Sequence, residues 1–371
     1  MAKLSIIMST YNAVTRNDSK YLKRALNSLL KQTDSDFELH ILDNISTDET
    51  PNICKEFAIK DDRIKFKIDT KRRFPEARIE KLAYGITTKY IMVANYDDLW
   101  NHYYIESLFK ILDQHSDIAL AYSNGTFIDH KSINKNPLLY NTNFTYNHTI
   151  EQNFCFSIQH RNIIPLLFGI FKTTAYQTAL LHKSFDSITT NNNDLFLAKF
   201  FLYGYKAKLY NKPLFHYRGT PKNLFPETVK GIPNNPALIW VYYIQQQLKF
   251  YSVVSKYIPD EKPLLKIATL DSCFHYLLSL LIWTINNLAH DAFEENLLKT
   301  IYKKYENICR ILFKDSFPEM TDKLYKNHYR KCYILSEQIL PYVNSMLVPN
   351  PLIDNTIQLA QKIHDEKLQP V

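Results

Sequence analysis

Glycine is scarce in this chain, at six among 371 residues. A backbone that wraps closely around a phosphate needs glycines at fixed offsets, and neither GxGxxG nor GxxxxGK[ST] occurs. That argues against a dinucleotide-binding Rossmann domain and against a P-loop NTPase. Cysteine is nearly as rare. Cys54, Cys155, Cys273, Cys309 and Cys332 are odd in number, far apart and never in a CxxC pair. They read as free thiols of a reducing compartment, not as a disulfide or zinc framework. Long apolar runs are missing too. The N-terminal MAKLSIIMSTYN holds an apolar run of only about five residues, shorter than a signal-peptide core. The most hydrophobic later stretch, Phe274 to Ile285, carries His275 and Ser279 and runs into Asn286 and Asn287. It falls short of the ~20 residues that span a bilayer. The expectation is a soluble, cytoplasmic protein.

What is present is ordinary for a globular chain: 46% apolar residues and a length that allows one large domain or two smaller ones. The net charge of +8 is moderate and spread out. Between Asn296 and Leu335, nine Lys/Arg against four Asp/Glu alternate with Tyr302, Tyr305, Tyr325, Tyr329 and Tyr333. Such a stretch could meet anionic lipid headgroups, as a peripheral contact at the inner face of a membrane, or an anionic partner. It could equally be a helix pair with basic outer faces and tyrosines packed inside. No recognition motif accompanies the charge, which argues against nucleic acid.

Along the first 130 residues, strands and helices alternate with short connections. Strands are expected at Leu4 to Ser9, Phe37 to Asp43, Arg63 to Ile68, Lys89 to Ala94 and Ile118 to Tyr122. Helices are expected at Ser19 to Lys31, Asp48 to Ile59 with Thr47 or Asp48 as cap, Glu76 to Thr87 and His102 to Gln114. This alternation implies an α/β fold, a mostly parallel sheet with helices on both faces. From Asn124 to about Arg161 the pattern weakens into a loop-rich insertion. Strand-like LLFGIFK (Leu166 to Lys172) then precedes helices near Thr174 to Leu181 and Asp194 to Tyr203. Two further strands, Lys206 to Tyr210 and Pro213 to Tyr217, close this domain. Beyond Gly231-Ile232-Pro233 the periodicity is helical. The expected division is therefore residues 1–232 and an all-helical region, 233–371.

The chemistry-bearing residues sit where strands end. In IMVANYDDLW, the strand to Ala94 runs into Asp97 and Asp98 and then Trp100. Ligands of open α/β sheets lie at the carboxyl ends of strands, so acids there are well sited to hold a cation that clamps a diphosphate. An acidic pair closing a strand is also a common solvated turn. SIIMSTYNA ends in Ser9-Thr10-Tyr11-Asn12, and ILDNISTDET ends a strand at Asp43, with Ser46 and Asp48 beyond. Arg78 follows in PEARIEKLAYGITTKY, and NNNDLFLAKFFLYGYKAKLYNKPLFHYRG comes last. Tyr11 can cover a base with its ring, and Asp43 can accept hydrogen bonds from base or ribose, or form a turn before a helix. Arg78 suits a bidentate phosphate contact, or an ion pair with Glu76 or Glu80. The run Lys71-Arg72-Arg73 reads as a solvated loop face that could also steer an anionic donor.

Together, in this order and spacing over about residues 3–220, these pieces resemble family 2 glycosyltransferases of the GT-A fold. The resemblance implies that Thr10, Tyr11 and Asp43 hold uracil or an equivalent base, and that Arg78 contacts nucleotide or phosphate. Asp97 matches the family's metal-binding acid, with Asp98 beside it, for Mg²⁺ or Mn²⁺. The usual Asp-X-Asp is altered: Asn95-Tyr96-Asp97 puts a neutral Asn first, as in members that keep His-Asp-Asp or a similar triplet before Leu-Trp. Asn95 would then accept from a ribose hydroxyl or offer a carbonyl oxygen. His216, in FHYRG, falls where relatives supply a further ligand, or is structural. Trp100 is core or a wall of the donor-sugar pocket. Asp194 matches the catalytic base, though an acid opening a helix can also serve its free N–H groups.

The implied activity is metal-dependent, inverting transfer from a nucleotide-sugar donor, of the UDP type, to a glycan or lipid-linked acceptor. Two other classes stay open. One is a non-catalytic nucleotide-sugar-binding subunit, which Asn95 favours. The other is a nucleotidyltransferase, which would carry a Gly- and Arg/Lys-rich loop where this chain has STYNA.

Overall fold

The structure, a computed structural model, describes residues 2–16, 19–73, 75–129, 134–138, 149–150, 153–154, 164–180 and 192–218, with residues 254, 256, 258 and 269. The chain divides into two compact units, Met1–Pro226 and Glu227–Val371, and almost all described residues lie in the first. The expected C-terminal helices, the basic tyrosine-rich stretch and four of the five cysteines lie outside the described residues. No helix among the described residues is long and apolar enough to cross a membrane.

One sheet organises the first unit. Its strands are β1 (Leu4–Thr10), β2 (Phe37–Asp43), β3 (Ile64–Ile68), β4 (Tyr90–Ala94), β5 (Leu99–Trp100), β6 (Ile118–Ile128), β7 (Asn134–Leu138), β8 (Ile170–Lys172) and β9 (Lys206–Arg218). They run in the order β3-β2-β1-β4-β8-β6-β9-β5, with β7 paired to β6. β1 is buried almost throughout, as the continuous apolar run LSIIMST requires of a strand covered on both faces. It pairs in parallel with β2, from Leu4↔Phe37 to Thr10↔Asp43, and with β4, from Leu4↔Tyr90 to Met8↔Ala94.

Among the described residues the unit also carries helices α1 (Ala13–Arg16), α2 (Ser19–Leu30), α3 (Thr50–Lys60), α4 (Pro75–Tyr84), α5 (Tyr104–Gln114), α6 (Ile164–Leu167), α7 (Thr173–Ala179) and α8 (Asn192–Leu202). α2 buries Tyr21, Leu22, Ala25, Leu26 and Leu29, a stripe at helical spacing that packs into the core with Leu4, Ile6 and Leu39.

The sheet is mixed. β1, β2, β3 and β4 form parallel ladders and β6·β9 is parallel, whereas β8 lies antiparallel between β4 and β6. Three expectations change in its second half. The strand from Ile118 does not stop at Tyr122 but continues to Ile128, and β7 pairs beside it where a loop-rich insertion was expected. Ser123 and Thr126 are polar, yet buried, because β9 supplies ladder partners along the whole length. The two closing strands are one, Lys206–Arg218. Its pairing moves from Ser123↔Tyr210 to Asn124↔Pro213, so Asn211 and Lys212 are absorbed in a bulge beside a proline with no N–H to give. LLFGIFK breaks at its glycine into α6 and the three-residue β8.

Gly169 explains that break. A Cβ there would lie 2.6 Å from both the Ala121 carbonyl oxygen and Leu120 Cδ1. Only a residue without a side chain lets the α6–β8 turn close against β6, which is also where the Tyr104 hydroxyl donates to the Phe168 carbonyl at 2.7 Å. Gly169→Ala is expected to cost ~1–3 kcal/mol, the usual penalty of overpacking. Urea unfolding measures it, and an unchanged midpoint would show that β6 yields at this point.

Candidate functional site

The carboxyl ends of β1, β2 and β4 stand side by side, and two loops leave them tied together. Thr10 Oγ1 donates to Asp43 Oδ2 at 2.9 Å, and Ser46 Oγ donates to the same oxygen at 2.6 Å. The Ser46 N–H reaches Asp43 Oδ1 at 2.8 Å. Asp43 is fully buried, so its carboxylate is the anchor of the Asn44–Thr47 turn. Asn12 completes the tie: its N–H donates to Ser46 Oγ at 2.8 Å, and its Oδ1 accepts from the Thr47 N–H at 2.9 Å. Asn12 and Ile45 both take left-handed backbone, at φ 43° and 58°. Asp48 accepts from Thr50 N at 3.0 Å, serving the first N–H of α3, and from Thr15 N at 2.8 Å.

A second group surrounds Tyr11. The Arg72 guanidinium lies 4.7 Å from the centre of the Tyr11 ring and donates to its hydroxyl. Arg78 is interior, 4% exposed; its Nε donates to Ser9 Oγ at 2.5 Å and its Nη1 to the Arg73 carbonyl at 2.6 Å. Asn44 grips the same loop, giving Nδ2 to the Arg73 carbonyl and accepting the Arg73 N–H. Asp69, which follows β3, was not singled out from the sequence. It takes Arg73 Nε at 2.9 Å and Lys81 Nζ at 2.8 Å, while its N–H donates to the Asp43 carbonyl at 2.7 Å. Burial opposes ionisation of Asp69, but the Lys81 and Thr70 hydrogen bonds and the Lys81 and Arg73 charges outweigh it, holding its carboxyl below the usual range. Its signal was available: IKFKID repeats the strand-then-Asp pattern of FELHILD.

The third group is the acid turn. Asp97 is 8% exposed and Asp98 fully buried. Asp98 Oδ1 accepts the Arg218 backbone N–H at 2.7 Å, and Asp98 Oδ2 accepts Asn95 Nδ2 at 3.0 Å. Asn95 thus braces the acid through a neutral amide. Arg218, fully buried, donates Nε to the Asp97 carbonyl at 2.8 Å and Nη1 to the Asp129 carbonyl, and lies 4.0 Å over the Tyr21 ring. Burial raises the pKa of Asp97 against the pull of Arg218; burial and then the Asp97 charge raise that of Asp98. Arg218 belonged to the FHYRG motif but carried no assigned role.

The remaining expected residues fall on either side. His216 pairs across β5 with Leu99, and its Nδ1 is 2.7 Å from Thr126 Oγ1; burial lowers its pKa. Trp100 takes the core alternative, 5.8 Å from the Phe215 ring. Asp194 occupies the first turn of α8. Among the described residues no three His, Cys, Asp or Glu gather as a ligand set.

Removing the Arg218 charge would leave two buried carboxylates uncompensated. Arg218→Met is expected to destabilise the unit by about 3–5 kcal/mol, the cost of breaking a buried pair from one side. Chemical denaturation tests this; a loss below about 1 kcal/mol would mean water already reaches the turn.

Residues 5–185 match the family model for glycosyl transferase family 2. An uncharacterized glycosyltransferase of Methanocaldococcus jannaschii is 34% identical over 128 residues, 34% of this chain and 42% of that protein. Glycosyltransferase GlyA of Streptococcus pneumoniae is 30% identical over 120 residues, 32% of this chain and 16% of that protein. The chain therefore spans less than half the length of either relative. Among solved structures, S. aureus TarS 1–349 superposes with a TM-score of 0.50 at 15% identity, covering 79% of this chain and 94% of that one, a likeness of fold. The mixed sheet flanked by helices is of the GT-A kind, and residues 5–185 are a glycosyl transferase family 2 domain.

Proposed function

We propose that this chain moves a sugar from a nucleoside-diphosphate sugar, of the UDP type, to a hydroxyl of a glycan or lipid-linked acceptor, with inversion at the anomeric carbon. The observation that carries the reading is the buried acid turn on the same strand-end edge as the tied Thr10–Asp43 loops. Tyr11 offers a ring to the base, and Asp43 acts by holding the turn that the nucleotide meets. Arg78, bonded to Ser9 at the end of β1, sets a positive charge beside that turn.

Two carboxylates here face one guanidinium, an excess of negative charge that burial makes costly and that a divalent cation would offset. Mg²⁺ or Mn²⁺ fits this oxygen chemistry, with Asp97 as its ligand and Asp98 fixed by Arg218 and Asn95 behind it. When bound, the cation would supply charge for the departing diphosphate. Asp194 takes the proton of the acceptor hydroxyl while that oxygen bonds to the anomeric carbon. The bond to the diphosphate breaks, and its electron pair leaves with the nucleotide. The catalytic unit in this reading is residues 1–232, and the helical region 233–371 serves the acceptor or a membrane face. Asn95, neutral where the family has an acid and bonded to Asp98, favours the non-catalytic alternative. Hydrolysis of donor by the isolated protein separates the two.

Asp97→Asn is expected to weaken Mn²⁺-supported UDP binding at least ~10-fold, about 1.4 kcal/mol, in calorimetry with and without the metal. Equal metal enhancement in both proteins would remove Asp97 as the ligand. A cation needs the carboxylate form, and the Asp97 carboxyl is pushed up to about 6 by burial. Metal-supported binding should therefore hold above that pH and fade as pH drops through it.

Asp194→Asn is expected to lower turnover ~10²–10⁴-fold, the usual share of a positioned base, with donor affinity unchanged. Asn serves a helix start about as well as Asp, so a purely local role predicts no change in rate. Single-turnover kinetics beside a melting curve distinguish the outcomes.

A further inference from the structure

The acid turn has a second neighbour, on the side away from the Thr10–Asp43 loops. The β5·β9 ladder pairs Trp100↔Phe215 and Leu99↔His216, so Asp98 comes next opposite Tyr217. On the other side of β9, Tyr217 pairs with Phe127 of β6. Tyr217 and Phe127 thus lie at one level on two paired strands, and Asp98, just before β5, accepts the N–H of Arg218, the residue after Tyr217, at 2.7 Å. The rings of Phe127 and Tyr217 meet edge to face, with centroids 5.7 Å apart. Tyr217 also contacts Phe215, at 6.5 Å, and Phe215 contacts Trp100. The row therefore begins in the core and ends at the surface, where Phe127 is 38% exposed. Burial, then Asp98 and Asp97, push the Tyr217 phenol up to about 12, consistent with its place beside the acids.

We propose that Phe127, backed by Tyr217, is the platform on which the acceptor sugar stacks. The location selects the ligand. The edge towards β1 and β2 is taken by the nucleotide in the function proposed above, on which this inference rests. The anomeric carbon would lie at the acid turn, so the group attacking it must approach from the β6·β9 side. A sugar presents one apolar face of C–H groups to a ring while its hydroxyls stay free for polar partners. An exposed ring held rigid by a second ring, next to carboxylates, matches that amphipathic surface. A base would stack here equally well on chemical grounds, but the strand order separates this ring from the Thr10–Asp43 edge by β4 and β8.

The test uses methyl glycosides of glucose, galactose, mannose and N-acetylglucosamine as probes, with the full chain, UDP and Mn²⁺. Saturation transfer by NMR reads contact between protein protons and each sugar. At least one glycoside is expected to receive transfer on its C–H face, with Phe127→Ala weakening its apparent affinity at least tenfold and Phe127→Trp restoring it. UDP binding by calorimetry should be the same in all three proteins. Equal glycoside affinity in wild type and Phe127→Ala would overturn the platform, as would the lack of transfer to any glycoside in a wild type that binds UDP. A wild type that binds no nucleoside diphosphate would instead remove the reading beneath it. Phe127 is at the surface, 38% exposed, so its truncation is expected to leave the fold intact, which a melting curve checks.

Discussion

Burying two adjacent carboxylates requires a counter-charge in the same place, and Arg218 is that charge. Desolvation of an ionised carboxylate costs several kcal/mol, which only a close partner with well-aligned hydrogen bonds offsets. The guanidinium reaches the Asp97 and Asp129 carbonyls, its own backbone N–H holds Asp98, and Tyr21 covers its face. Much of the second half of the sheet can be understood from this need. β9 runs unbroken to Arg218, across the bulge at Asn211–Pro213. β5 must come back antiparallel onto β9 so that the acids meet it.

On the nucleotide side the same principle works through neutral groups. Asp43 is satisfied by Thr10 and Ser46, and the loops after β1 and β2 hold each other through Asn12. The left-handed backbone at Ile45, a β-branched residue, is unfavourable by ~1–2 kcal/mol in isolation. It persists because the surrounding hydrogen bonds leave the turn no other path. A turn held this firmly loses little freedom when a ligand arrives.

Much of this was legible in the residues themselves. The apolar runs before Thr10, Asp43 and Ala94 announced three parallel strands, and acids at two of those ends marked the edge where ligands lie. What was hidden depended on partners distant in sequence. Ser123 and Thr126 look like loop residues until β9, some 90 positions on, supplies their ladder. Lys71 and Arg72 are exposed, as a solvated loop face requires, but the partners of two of the three arginine and lysine side chains were hidden: Arg73 closes on Asp69 and Arg72 lies on Tyr11. Asp43 could be read as a ligand contact or as a turn-forming acid, and its bonds to Thr10 and Ser46, one of them 33 positions away, became visible only in the fold. Trp100 could be placed either in the core or against a sugar until Phe215 was known to lie beside it. Local pattern reveals a strand; it does not reveal which charge that strand has been placed to neutralise.

The two ends of the sheet meet the hazard of unpaired backbone in different ways. At one end β5 is two residues long, too short to template another strand. At the other, β3 is a five-residue edge among the described residues, with Lys65 and Lys67 exposed at alternate positions. A strand arriving from a second molecule would have to set its backbone against two ammonium groups on one face, an arrangement that discourages edge-to-edge growth. Part of the positive charge of this chain thus acts to keep copies of the sheet apart.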